Sequence, residues 1–170
     1  MKKLFCLLLI AALAYSAALA EIRIGLTDFT TTDMEGNTIT QEIFADYDLT
    51  VVNLWATWCG YCIEEMPDLA ELKTMLPENV NFITLCEDAH LDMDLANEIL
   101  QASGANFQTL INTQEIYDQF LSLVTGFPTT VFLDSEGVLV GRPIVGVPSL
   151  ENAAEAYYMY AMEALSELEK

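Results

Sequence analysis

Trp55-Ala56-Thr57-Trp58-Cys59-Gly60-Tyr61-Cys62 joins a run of strand-forming residues to a helical one. Before it, Thr50-Val51-Val52-Asn53-Leu54-Trp55 is β-branched or apolar at nearly every position, which suits a central parallel strand covered on both faces. After it, Met66, Leu69, Ala70, Leu72 and Leu76 follow a spacing that fits one face of a helix. Cys59 therefore falls where strand turns into helix. Unpaired amide N–H groups and the positive end of the helix dipole favour a thiolate at that place, so Cys59 is the expected nucleophile. Cys62 lies one turn further in, close enough to form a disulfide with Cys59 and to resolve a mixed disulfide. It is expected to be the less exposed of the two.

A zinc site would need two further ligands, and outside this pair only Cys86 and His90 are on offer after Ala20. The pair reads as a redox pair, with no metal and no cofactor expected.

Three stretches in order carry a resemblance: Trp55-Ala56-Thr57-Trp58-Cys59-x-x-Cys62, Glu65 with Pro67 on the following helix, and Gly126-Phe127-Pro128-Thr129-Thr130 before an apolar strand. Over about Asp28 to Leu165 the chain resembles thioredoxin-fold proteins, and more narrowly the extracytoplasmic TlpA/ResA group of thiol-disulfide oxidoreductases. The resemblance implies an α/β thioredoxin-like fold, with a mixed central sheet, helices on both faces, an N-terminal hairpin and a TlpA-type insertion. It implies that Pro128 is a cis-proline facing the cysteines, leaving the Phe127 backbone free to pair with a substrate segment. Trp58, Gly60 and Tyr61 join Phe127 and Pro128 as expected substrate-binding residues. Glu65, one turn after Cys62, matches a functionally important buried glutamate of the group, and as a carboxylate of raised pKa it would take the Cys62 proton. Pro67 would otherwise be costly inside a helix, by about 3 kcal/mol.

Two departures qualify the likeness to thioredoxin. The buried aspartate that thioredoxins carry six residues before the first cysteine is here Asn53, and the Gly-Pro between their cysteines is here Gly60-Tyr61. The first leaves Glu65 as the better proton acceptor. The second leaves the direction of electron flow open.

Residues 1–20 place Lys2 and Lys3 before an apolar run and end in Ala18-Leu19-Ala20, the layout of a secretory signal peptide cleaved before Glu21. The remaining residues 21–170 are expected to form one thioredoxin-like domain outside the cytoplasm, touching a membrane only through the signal segment if it stays uncleaved. All 26 acidic residues fall after Ala20, against Arg23, Lys73, Arg142 and Lys170 there, and the whole chain carries a formal charge of −20. Nucleic acid and anionic lipid are thus poor partners. The partners implied by the resemblance are exported proteins bearing disulfides or thiols, apocytochrome c among them, and a membrane thiol relay as electron donor.

The flanking elements follow from local pattern. Short strands are expected over Ile22–Phe29 and Gly36–Thr40 around the turn Asp33-Met34-Glu35-Gly36, then a helical turn over Gln41–Ala45. Val80–Leu85 reads as a second strand ending at Cys86, which reads either as a small buried residue or as a third redox thiol on the same edge of the sheet as the active site. Helices are expected over Leu95–Ala102 and Gln114–Leu123, with a strand at Phe107–Ile111 between them. Thr129–Leu133 and Val138–Val145 form a hairpin. Ser149 is expected to cap a last helix with Leu150, Ala154, Tyr157, Ala161 and Leu165 on its buried face. His90 reads as a surface residue. The rival functions are a thiol oxidase or isomerase using the same site, a Sco-like copper-binding module, and an adaptor with a vestigial site.

Overall fold

The computed structural model describes residues 23–169. The expected signal peptide lies outside them. Strand β3 (Leu49–Trp55) is buried along its whole length, as its continuous β-branched and apolar sequence requires. It runs parallel to β4 (Val80–Cys86), with Leu49 opposite Val80 and Trp55 opposite Cys86. On its other side it pairs antiparallel with β6 (Thr129–Asp134), placing Asn53 opposite Thr130. Parallel β5 (Gln108–Ile111) and antiparallel β7 (Leu139–Val145) complete a mixed five-stranded sheet of order β5-β4-β3-β6-β7.

Alternation along β3 sends its side chains to two different cores. Val52 and Leu54 join Ile83, Leu85, Leu110, Val131 and Leu133 on one face, covered by Leu26, Phe29, Phe44, Ile116 and Phe120. Leu49 and Val51 join Phe82 and Phe132 on the other, beneath Leu69 and Leu72 of α1 (Gly60–Met75) and Ala154, Tyr157 and Ala161 of α4 (Ala153–Leu168). Asn53 shares the period of Leu49 and Val51, so its amide enters the layer between sheet, α1 and α4. At the C-terminal end of β3 a third cluster gathers Trp55, Cys59, Cys62, Met66 and Cys86 with Ala96 of α2 (Met93–Ala102).

The N-terminal hairpin forms, but its strands are β1 (Thr30–Thr32) and β2 (Thr38–Thr40). The expected strand over Ile22–Phe29 does not form in the described part of that segment. Its backbone instead follows the β6–β7 turn, with Leu26 N donating to Gly137 O at 2.8 Å and Leu139 N to Ile24 O at 2.8 Å, and a single bridge joins Gly25 to Val138. A Cβ on Gly25 would stand 2.0 Å from Gly137 O, so only glycine permits that approach. Asp33 locks the hairpin turn. Its carboxylate accepts from Glu35 N (3.0 Å), Asn37 N (2.9 Å), Asn37 Nδ2 (3.0 Å) and Gln108 Nε2 (2.8 Å), which ties the hairpin to the edge strand β5.

A 3-10 turn occupies Gln41–Phe44, and α3 (Gln114–Gln119) stops short of the expected Leu123, giving way to a second 3-10 turn at Leu121–Leu123. Helix α2 starts at Met93, its first turn capped by Asp92 Oδ1 accepting from Leu95 N at 3.0 Å. The last helix starts later than the Ser149 reading expects. Asn152 caps it, while Ser149 Oγ accepts from Asn152 N in the preceding turn. Leu150, placed before the helix, is consequently 85% exposed and faces no sheet.

Candidate active site

Cys59 is the N-cap of α1, with extended backbone at φ −89° and ψ 97°. Its amide donates to Ala56 O at 3.0 Å, closing the tight turn out of β3, and its carbonyl accepts from Ile63 N at 3.1 Å. Its sulfur accepts from Cys62 N at 3.2 Å, so a first-turn amide of the helix points at that sulfur. The same contact would stabilise a thiolate. In this structure Cys59 and Cys62 are joined as a disulfide, their Cα atoms 5.3 Å apart. Both are buried, Cys62 the more deeply.

Around this recessed pair stand exposed aromatic rings. Trp58 is 69% and Tyr61 65% exposed, unusual for large rings that the fold does not need at its surface. Trp58 meets Phe127 edge-on at 5.8 Å between centroids. Phe127 packs against the cysteine cluster, and the Phe127–Pro128 peptide is cis. The loop before Pro128 is held by Thr129 Oγ1 donating to Gly126 O at 2.7 Å, and Pro128 O accepts from Gly146 N at 2.8 Å. Trp58 and Phe127 thus meet beside the cysteine pair, Pro128 follows Phe127 in the same loop, and Gly60 and Tyr61 open α1 between the two cysteines.

Glu65 is 3% exposed. Tyr157 of α4 donates its hydroxyl to Oε2 at 2.9 Å, and Asn53 Nδ2 donates to Oε1 at 3.0 Å. Asn53 Nδ2 also donates to Thr130 Oγ1 at 3.0 Å, linking β3, β6, α1 and α4 through one polar network. Burial pushes the Glu65 carboxyl up to about 7; the Tyr157 and Asn53 hydrogen bonds oppose that rise, and the charge of Asp68 adds to it. Glu65 also borders a cleft of about 100 Å³ lined by Tyr61, Glu64, Asp68, Val147, Ser149 and Leu150. Tyr157, read from sequence as packing, is both a core residue and a donor to this acid. Helical spacing reports only its burial; its partner lies 92 residues away.

Asp88 is a second residue that the sequence reading does not single out. Its carboxylate accepts from Thr57 N at 2.8 Å and Thr57 Oγ1 at 2.6 Å, clamping the loop that delivers Cys59. Burial raises this carboxyl, but its hydrogen bonds, led by those from Thr57, outweigh burial and hold it below the usual range. Cys86 is buried beside it and donates its thiol to Asp88 Oδ1 at 3.4 Å; burial first, then the Asp88 charge, pushes the thiol up to about 12. His90 is exposed. Among the described residues, no three or more His, Cys, Asp or Glu side chains are grouped to hold a metal ion.

With this geometry in view, the comparisons with known proteins are consistent with one another. Residues 25–142 match the AhpC/TSA family. The chain belongs to that family. The thiol-disulfide oxidoreductase ResA of Geobacillus thermodenitrificans is 28% identical over 164 residues, 89% of this chain and 90% of that protein. A thioredoxin-family thiol:disulfide interchange protein from Chlorobium tepidum superposes with a TM-score of 0.69 at 20% identity, covering 85% of this chain and 98% of the other. The thioredoxin domain of a thiol-disulfide oxidoreductase from Bacteroides vulgatus gives 0.65 at 16%, covering 82% and 94%. Within the AhpC/TSA family this chain is a thiol-disulfide oxidoreductase similar to ResA, with a Cys59–Cys62 pair. A peroxidatic arrangement Pro-x-x-x-Thr-x-x-Cys is absent, since Val52 and Ala56 stand where its proline and threonine would.

Proposed function

We propose that the chain is an exported protein-disulfide reductase. The observation that carries the reading is the recessed Cys59–Cys62 pair at a helix N-terminus, with a buried, doubly hydrogen-bonded Glu65 one turn further on. In the reduced protein, Cys59 thiolate attacks one sulfur of a client disulfide. A Cys59–client bond forms, the client S–S bond breaks, and the other client sulfur leaves as a thiolate. Cys62 then gives its proton to the Glu65 carboxylate, and its sulfur attacks Cys59. The Cys59–Cys62 disulfide forms, the second client thiolate departs, and two electrons have passed from the pair to the client.

Trp58, Tyr61 and Phe127 supply an apolar rim for the client, and the backbone at Phe127–Pro128 receives its extended segment. Turnover needs a dithiol donor on the exported side, for which a membrane thiol relay is the proposed source. Exported c-type apocytochromes are the proposed clients. Export itself is supported by the apolar leader pattern of residues 1–20 and by the ResA likeness.

The test is the reduction potential of the pair in the protein lacking residues 1–20, equilibrated against glutathione. A value at or below about −220 mV belongs with reductases. A value near about −120 mV marks a strong oxidant and would replace this reading with disulfide formation.

A further inference from the structure

Three elements converge on Glu65, and one of them aims a phenol at its carboxyl. Tyr157 is fully buried between α4 and the sheet, where a phenol needs a partner for its O–H. It finds Glu65 Oε2 at 2.9 Å, while Asn53 Nδ2 meets Oε1 at 3.0 Å. Each carboxyl oxygen is thus met by a donor. That arrangement suits a carboxylate, whereas the surrounding apolar packing suits the acid. We propose that Tyr157 is a positioning residue of the exchange reaction, its hydroxyl holding Glu65 in the charged form that accepts the Cys62 proton. The inference rests on the Glu65 role in the proposed function and adds the residue that makes this role workable near neutral pH.

The charged and titratable groups facing Glu65 are few. Asp68 on the same helix raises it, Glu64 and Tyr61 share its cleft, and Cys62 lies one turn back. β3 and β6 contribute only the neutral Asn53 and Thr130, and the cleft's Val147, Ser149 and Leu150 carry no charge. Tyr157 is the one titratable group on α4 hydrogen-bonded to Glu65. Burial, followed by the Glu65 charge, raises its own pKa against an opposing hydrogen bond with Thr130, so it stays a donor. Loss of its hydroxyl leaves burial of Glu65 opposed by Asn53 alone. Glu65 then stays protonated to higher pH and cannot take a proton from Cys62.

The test is the single-turnover rate at which reduced protein resolves a mixed disulfide with a peptide, followed from pH 5.5 to 9. Tyr157→Phe is expected to move the acid limb of the profile up by about one pH unit, with the high-pH plateau changed less than about twofold. 3,5-Difluorotyrosine at position 157 keeps the ring and strengthens the donor, so it should move the limb down. An infrared titration of the Glu65 carboxyl in the oxidised protein, assigned by difference from Glu65→Gln, should shift in the same directions without reference to activity. Limbs that coincide in wild type, Tyr157→Phe and the fluorinated protein, while Glu65→Gln abolishes the limb, would reduce Tyr157 to packing and overturn the proposal. A limb that survives Glu65→Gln would instead overturn the Glu65 role itself, and this inference with it.

Discussion

At Asn53 a single amide decides whether one or two acids sit under the redox pair. Its Nδ2 reaches both Glu65 Oε1 and Thr130 Oγ1 at 3.0 Å, and an aspartate there would place a second carboxyl against the first. Two carboxyls at that separation cannot both ionise at ordinary cost. Asn53→Asp is therefore expected to make the pair hold one proton to well above pH 7, moving the acid limb of peptide-disulfide exchange up by more than about one unit. An unmoved limb would mean that Asn53 and Glu65 are not coupled. Cys86 presents the opposite situation. Buried and with its thiol pushed up to about 12, it should escape iodoacetamide at pH 8 in the reduced native protein while Cys59 is alkylated. Peptide mass mapping after a short exposure checks this, and early labelling of Cys86 would mean that the thiol is reachable from solvent.

Elements are legible where their signal is local. β3 declares itself by an unbroken β-branched and apolar run, and α1 by the change of period at Cys59. The segment before Thr30 reads wrongly as a strand because its hydrogen bonds go to Gly137 and Leu139, more than a hundred residues away, and short-range alternation cannot report that. The start of α4 reads wrongly for a more local reason, since Ser149 and Asn152 are both residue types that cap helices. Side-chain geometry separates them: Asn152 Oδ1 accepts from Glu155 N, while Ser149 Oγ accepts only within the turn before the helix. Asn152→Ala should accordingly cost about 1 kcal/mol in urea unfolding and Ser149→Ala only a few tenths. Equal losses would mean that the helix start is shared between them. In the active site the cysteines and the proline loop are legible as motifs. Tyr157 and Asp88 are not, because a donor or clamp is defined by what the fold brings to it.

For the whole molecule, buried acids displaced in opposite directions set a pH window of stability. Burial raises Asp33, but its hydrogen bonds to Asn37, Gln108 and Glu35 outweigh that and lower it; Asp88 is likewise lowered. Their contribution is present above the ordinary carboxylate value of 3.8 and is lost as pH falls below it. Glu65 works the other way. Raised from 4.5 to about 7, it holds a proton in the folded protein that the unfolded chain has released, so stability falls as pH rises through that interval. The size of the shift corresponds to roughly 3 kcal/mol. The formal charge of −20 adds self-repulsion that grows as the other carboxylates ionise, but salt screens it, and it acts on wild type and Glu65→Gln nearly alike. The new glutamine amide would also set a donor against Asn53 Nδ2 or the Tyr157 hydroxyl, a cost that does not vary with pH. The difference in unfolding free energy between Glu65→Gln and wild type, measured on the oxidised proteins in moderate salt, should thus be level below about pH 4.5 and rise in favour of the variant by roughly 3 kcal/mol by about pH 8. A difference that stays level throughout would mean that Glu65 ionises as an ordinary surface glutamate. In that case the protein would destabilise itself nowhere near its redox pair, and the trade of stability for a proton acceptor would not exist.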